Sequence, residues 1–291
     1  MSWWPPEVAV HAEQFRKGLR DLGYVEGRDI TVEAHFTDGN RDRTRAVVRK
    51  LIEDKVDILV VSTTPAIAVT KEEAGSLHIV ISLVSDPLAA GFAASLSNPG
   101  GNLTGMTTFS PGLVAKRVEL MKEIRPELRV IAFLGSSRDV NTGTFLRNMQ
   151  TEADRSGLRL IPYLIDGPAR IDRAVFEAMR HEGAEAVIVQ PIFMGHQERI
   201  IHLANAAGLP IVADYSLFAH AGAMFTYGID DHAQMRRAAY FVDRIFKGAH
   251  PGDLPIQQPT EFRLVVNAGA AKRFGWAIPL SVLARADEVI E

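Results

Sequence analysis

The chain has 291 residues, 47% of them hydrophobic, with a formal net charge of −3 and a pI near 6.3. That length and apolar content suffice for two domains of ordinary size, and a near-neutral balance with no basic stretch interleaved with aromatics excludes an electrostatic footprint for nucleic acid. The absence of cysteine excludes disulfides, thiol catalysis and thiolate metal ligation, and no apolar run approaches the length of a membrane-spanning helix.

The first residues, MSWWPPEVAV, lack the basic and long apolar regions of a secretion signal. Trp3 and Trp4, beside Pro5 and Pro6, read as a docked or loose tail. Phe15, Leu19 and Leu22 share one face of a helix over 12–22, which Gly23 ends. Ile30, Val32, Ala34 and Phe36 alternate with Thr31, Glu33 and His35, the period of a strand, between turns at 27–29 and 38–40. Val47, Val48, Leu51 and Ile52 mark the next helix.

Residues 56–91 then read as a buried strand, the polar loop Ser62-Thr63-Thr64, a helix, a second strand and the acidic loop Ser85-Asp86. After the breakers of 97–102, residues 103–108 predict a last strand before the chain crosses to another lobe. Val114, Val118, Leu120, Met121 and Ile124 mark a helix. The strand over 130–134 ends in Gly135-Ser136-Ser137, a helix carries Phe145, Leu146, Met149 and Ala153, a strand covers 158–164, and a helix carries Val175, Phe176 and Met179.

Residues 184–222 repeat the plan of 56–91: a strand, the loop Gln190 to Phe193, a helix with Ile200, Ile201 and Ala204, a second strand, and Asp214-Tyr215 at its end. Each copy is a βαβ unit, which requires a parallel sheet. Two copies predict two similar α/β lobes. Ligands of open parallel sheets bind beyond the carboxyl ends of the strands, so these four loops are expected to line a cleft. A strand over 223–227, a helix with Ala238, Phe241, Val242 and Ile245, a linker framed by Pro251, Pro255 and Pro259, a strand over 262–266 and short helical pieces complete the chain.

Thr64 reads as an N-cap with Pro65 at the first helical position, and the N–H groups around Ala66 favour an anion such as a carboxylate. Ser136-Ser137 is the matching loop of the second lobe, as a contact or simply as a polar loop. Asp86 and Asp214 offer carboxylates to a ligand ammonium, with capping of the turn after Pro87 as the other reading of Asp86. Tyr215 and Phe218 make Asp214 the better recognition corner. Phe193 and Tyr227 suit either stacking on an apolar ligand or packing. Asp230 reads as a helix cap. His11 with Glu13, His196 with Glu198, and His78 alone lack metal-site spacing, and no nucleophile elbow, Walker loop or dinucleotide fingerprint is present. No catalytic residue, metal or cofactor is expected.

The stretches FRKGLRDLGYVEGRDI, LVSDPLAAGFAASLSNPGGNLTGMT, AKRVELMKEIRP, TYGID, VDRIFKGAHPGDLPIQQPTEFRLVVN and IPLSVLARADEVIE resemble, in wording and order, the substrate-binding components of ABC importers of the tryptophan- and phenylalanine-binding type. The resemblance covers nearly the whole chain. It implies the type I periplasmic-binding-protein fold, with two α/β lobes, each a parallel sheet flanked by helices, three crossings and a ligand enclosed by hinge closure. Lobe one is then expected over 1–107 and 229–258, and lobe two over 108–228 and 259–291. The implied function is capture of a small organic solute, an aromatic or branched amino acid or a small organic acid, and delivery to a membrane permease by a monomeric periplasmic protein. The other reading is the ligand-sensing core of a regulator or sensor with the same fold. The sequence departs from the family at its start: the signal peptide is absent, Val8 to Val10 is a poor substitute for a central strand, and the first strand of lobe one is expected to be missing.

Overall fold

The computed structural model describes residues 6–37, 39–108, 110 and 112–291; Trp3, Trp4 and Pro5, Asp38 of the second turn and Pro111 lie outside the described residues. The chain divides into two compact units, Met1–Phe109 with Asp230–Glu261 and Ser110–Ile229 with Phe262–Glu291, and therefore passes from one to the other three times.

In unit 1 the order is α1 (Pro6–Asp21), α2 (Arg41–Glu53), β1 (Ile58–Ser62), α3 (Thr64–Glu73), β2 (His78–Val84) and β3 (Leu103–Thr107). The three strands form a parallel sheet in the order β1-β2-β3. Its core gathers Val48, Leu59, Ile67, Ile79, Ile81, Val84, Leu103 and Ile256. α1 starts six residues earlier than the apolar periodicity predicts and takes in the Val8–Val10 segment as helix.

The strand predicted over 30–36 is corrected. Ile30 makes only an isolated bridge to Glu26, and 31–37 carry no strand. The alternation itself persists: Val32, Ala34 and Phe36 are half-buried while Thr31, Glu33 and His35 are exposed. A strand is defined and stabilised by its ladder, and period-two patterning without a neighbour to pair with does not make one. Among the described residues nothing pairs with the outer edge of β1 either.

Unit 2 contains α4 (Gly112–Ile124), β4 (Val130–Ser136), α5 (Thr142–Arg155), β5 (Arg159–Ile165), α6 (Arg173–His181), β6 (Ala186–Val189), α7 (Gln197–Ala206), β7 (Ile211–Ala213), α8 (Ser216–Ala221) and β8 (Phe225–Ile229). The chain then returns to unit 1 through α9 (Asp231–Phe246) and re-enters unit 2 with β9 (Phe262–Asn267), α10 (Ala268–Arg273), α11 (Leu280–Leu283) and β10 (Glu288–Ile290). The sheet order is β10-β9-β8-β7-β6-β4-β5. Strands buried on both faces read as continuous apolar runs. Ile131 and Phe133 enter one core layer with Ile188, Val212 and Phe225, while Ala132 and Leu134 enter the other with Val187, Val189 and Ile211.

Three details depart from the sequence reading. β9 runs antiparallel to β8, so the sheet is mixed rather than wholly parallel. The loop after β7 continues at once into α8. The last apolar residues form the edge strand β10 instead of a helical end, paired parallel with β9.

In unit 1, α1 and α9 lie side by side running the same way, since His11 meets Asp231, Gln14 meets Arg236 and Tyr24 meets Asp243. Gly18 permits the approach: a Cβ there would sit 2.3 Å from the Arg236 carbonyl oxygen and 2.9 Å from the Ala239 Cβ. Gly18→Ala, despite its gain in helix propensity, should cost about 1–3 kcal/mol by forcing the helices apart. Urea denaturation of the two proteins measures it.

Candidate functional site

In each unit the parallel strands bring their carboxyl ends to one sheet edge, and the candidate loops follow from there. In unit 2, Ser136 ends β4, Gln190 follows β6 and Asp214 follows β7. Gln190 is 1% exposed and spends its amide internally. Its Oε1 accepts from the Ser136 N–H at 2.8 Å and from the Thr142 hydroxyl at 3.2 Å, and its Nε2 donates to Asp139 at 2.7 Å. Ser136 is buried, and its carbonyl accepts from Thr142 at 2.6 Å. Burial holds the Asp139 carboxyl above the ordinary range, against the pull of the Asn141 N–H. This network sets the shape of the edge. Ser137 is the exposed member of its pair, with its N–H donated to Ile165.

Asp214 has a partner that sequence reasoning missed. Its Oδ2 accepts from Arg117 Nη2 at 2.7 Å, and Arg117 Nε donates to the Tyr227 carbonyl at 2.9 Å. The Arg117 side chain is 2% exposed and that of Asp214 is 10% exposed. Desolvation pushes the Asp214 carboxyl up to about 6, although the guanidinium pulls it down. Its other oxygen, Oδ1, is buried with no hydrogen-bond partner among the described residues. A signal for Arg117 existed: it shares the apolar stripe of α4 with Leu113, Val114, Val118, Met121 and Ile124, a place where a charge needs a buried partner. Gly228 lets β8 come close to this corner, because a Cβ there would lie 2.2 Å from the Asp214 carbonyl oxygen.

Of the aromatic candidates, Phe193 is 2% exposed within the core layer that contains Val189 and Phe218, so its ring is spent on packing. Tyr215 is buried at the head of α8. Tyr227 is half-buried and stacks on Phe262, with ring centroids 6.3 Å apart and planes 25° apart.

In unit 1, Ser62 ends β1 with its hydroxyl 3.7 Å from the Met235 sulfur. The predicted cap is shifted by one residue: Thr63 holds the N-cap position without a side-chain capping bond, Thr64 is the first helical residue and Pro65 the second. Thr63 has φ 79° and ψ 138°, a conformation that a β-branched residue rarely adopts. Such strain clusters where a loop is held for a purpose. Thr64 is buried and Ala66 half-buried in the first turn of α3. The Ser85 carbonyl accepts from Thr107 at 2.6 Å. Asp86 Oδ1 accepts the N–H groups of Leu88 and Ala89, each at 3.0 Å, which is the capping alternative. Asp230 caps α9 through the Ala233 N–H.

Comparison with known proteins adds three findings. The family model for ABC transporter substrate binding protein matches residues 7–290. The tyrosine-binding protein of Clostridioides difficile strain R20291 is 22% identical over 267 residues, covering 92% of this chain and 77% of that protein. Two solved structures superpose with a TM-score of 0.91: a conserved domain protein from Vibrio cholerae O1 biovar El Tor, 26% identical over 98% of this chain and 96% of that one, and the ABC domain from Streptococcus pneumoniae in complex with L-Trp, 23% identical over 99% and 96%. The fold is the two-unit type I periplasmic-binding-protein fold.

Two measurements test the local physics. Because the folded Asp214 carboxyl titrates near 6 and the unfolded one near 3.8, its proton stabilises the fold at low pH, and that contribution is lost as pH rises through about 6. The stability of Asp214→Asn relative to wild type should therefore increase by up to about 3 kcal/mol between pH 4 and pH 7 in urea titrations. Thr63→Gly should raise the stability of the unliganded protein by about 1 kcal/mol by releasing the backbone strain; an unchanged urea midpoint contradicts this.

Proposed function

The chain belongs to the ABC transporter substrate-binding protein family, and from that premise we propose that its solute is an amino acid with an aromatic or branched side chain, taken up outside the cytoplasm and handed as a monomer to a membrane permease. The family assigns it a binding role rather than catalysis.

The observation that carries the proposal is Asp214. One carboxylate oxygen is held by Arg117, and the other is buried with no partner among the described residues. A buried, unmet acceptor is costly, by about 1–3 kcal/mol or more for a charged group, and an ammonium supplies the missing donors with charge assistance. Half-buried Tyr227, backed by Phe262, is the aromatic candidate for the side chain. The tyrosine-binding relative and the relative solved with L-Trp support an aromatic amino acid as the first class to try. Solute capture is then a population shift toward the state that binds it better.

Isothermal titration with Tyr, Trp, Phe, Leu and Ile tests the class. At least one should bind at micromolar affinity or better, and Asp214→Ala should weaken it by about a hundredfold, the scale of one buried charged hydrogen bond. Affinity should also fall as pH drops through about 6, where Asp214 takes up its proton. Unchanged affinity in Asp214→Ala removes Asp214 from the ammonium site.

A further inference from the structure

His11 and Asp231, 220 positions apart in sequence, meet between α1 and the first turn of α9. His11 Nε2 lies 2.6 Å from Asp231 Oδ2, and both residues are buried, at 7% and 3% exposure. His232, the next residue of α9 and half-buried, turns its ring edge-on to His11 with centroids 6.0 Å apart. One donor atom from each of the three lies within 4.8 Å of the others. Among the described residues this is the one cluster of histidine and acid side chains so converged.

We propose that His11, Asp231 and His232 form a binding site for one Zn²⁺ ion. Two imidazole nitrogens and one carboxylate oxygen are a donor set that zinc takes in tetrahedral sites with a water as fourth ligand. The set is too rich in nitrogen for Mg²⁺ or Ca²⁺, which take oxygen, and in a cysteine-free chain no thiolate competes. With ligand bonds of about 2.0–2.2 Å, tetrahedral donors stand roughly 3.3–3.6 Å apart, so the His11–Asp231 pair opens from 2.6 Å by about 1 Å while the His232 nitrogen closes in from within 4.8 Å. The ionised carboxylate also offsets the positive end of the α9 dipole, where a cation would otherwise be disfavoured. The ion would join α1 to α9 at the end of the pair nearest Met235, the residue that touches Ser62 at the carboxyl edge of the unit 1 sheet. The competing explanation is that His11 and Asp231 form a plain hydrogen bond bracing two helices. In that case His232 has no part in it.

The discriminating experiment uses the full chain without a histidine tag, stripped with chelator and titrated with ZnCl₂ by calorimetry, and with CoCl₂ while visible absorption is recorded. The wild type should bind one equivalent, show the ligand-field bands of tetrahedral cobalt and melt at higher temperature with Zn²⁺. His232→Gln, at a half-buried position that leaves the His11–Asp231 bond in place, should bind Zn²⁺ at least about tenfold more weakly and lose the cobalt bands, since even loss of a partner outside the ligand set costs about 10–100-fold. His11→Gln should do the same, with far-UV circular dichroism confirming that it is folded. Absence of an equivalent of bound zinc in the wild type, or equal zinc affinity in folded His232→Gln, overturns the proposal. The chain has nine histidines, so binding that survives in His232→Gln belongs to others and counts against this site.

Discussion

A guanidinium with 2% of its side chain exposed cannot stand alone, and unit 2 is arranged so that Arg117 does not. It takes a carbonyl from β8 and a carboxylate from the end of β7, while its own helix, α4, buries the rest of its apolar stripe against the sheet. The contact fixes three elements relative to one another with directional bonds, which hydrophobic packing does not supply. It also leaves one carboxylate oxygen unmet at the carboxyl edge of the strands, in a medium where an unmet acceptor is expensive. The pair therefore orders the corner, and in the proposed function its spare oxygen is what gives the corner a chemical preference.

The neighbouring polar network follows a different logic. Gln190, Ser136, Thr142 and Asp139 satisfy one another, and Gln190 uses both ends of its amide. Such a closed network rigidifies and offers little to a ligand. In unit 1 the emphasis falls on backbone conformation instead: Thr63 holds an unfavourable φ so that α3 can begin directly at the end of β1. Rigid polar wiring in one unit and stored backbone strain in the other are two ways of holding a loop still at the end of a strand.

The βαβ units were legible in the sequence because strands buried on both faces are written as unbroken apolar runs, and their loops interrupt them. Residues 30–36 show the limit of that reasoning: alternation reports which way side chains point, while a strand also needs a neighbour, and pairing is not local information. The antiparallel entry of β9 was hidden for the same reason. At the site, Asp214 was legible as a carboxylate at a strand end, but its engagement with Arg117 depends on a contact 97 positions away. The charge on the apolar stripe of α4 was the available clue. Phe193 and Gln190 are fully buried, one in a core layer and one in a polar network, and no spacing rule foretells that burial.

Neither unit closes on a contiguous stretch of chain, and this bears on how the protein is made. The apolar face of α1, with Phe15 and Leu19, is covered by α9, which leaves the ribosome roughly 200 residues later. At about 5–20 residues per second, that face waits on the order of ten to forty seconds for its cover. β8 likewise has no partner on its outer edge until β9, which follows the excursion through α9, emerges. Unit 1 can be completed at residue 261 and unit 2 only at 291. A nascent chain of this design keeps sticky helix and strand surfaces open until the later segments of each unit are made, and it is suited to systems in which chaperones shield the polypeptide for that interval.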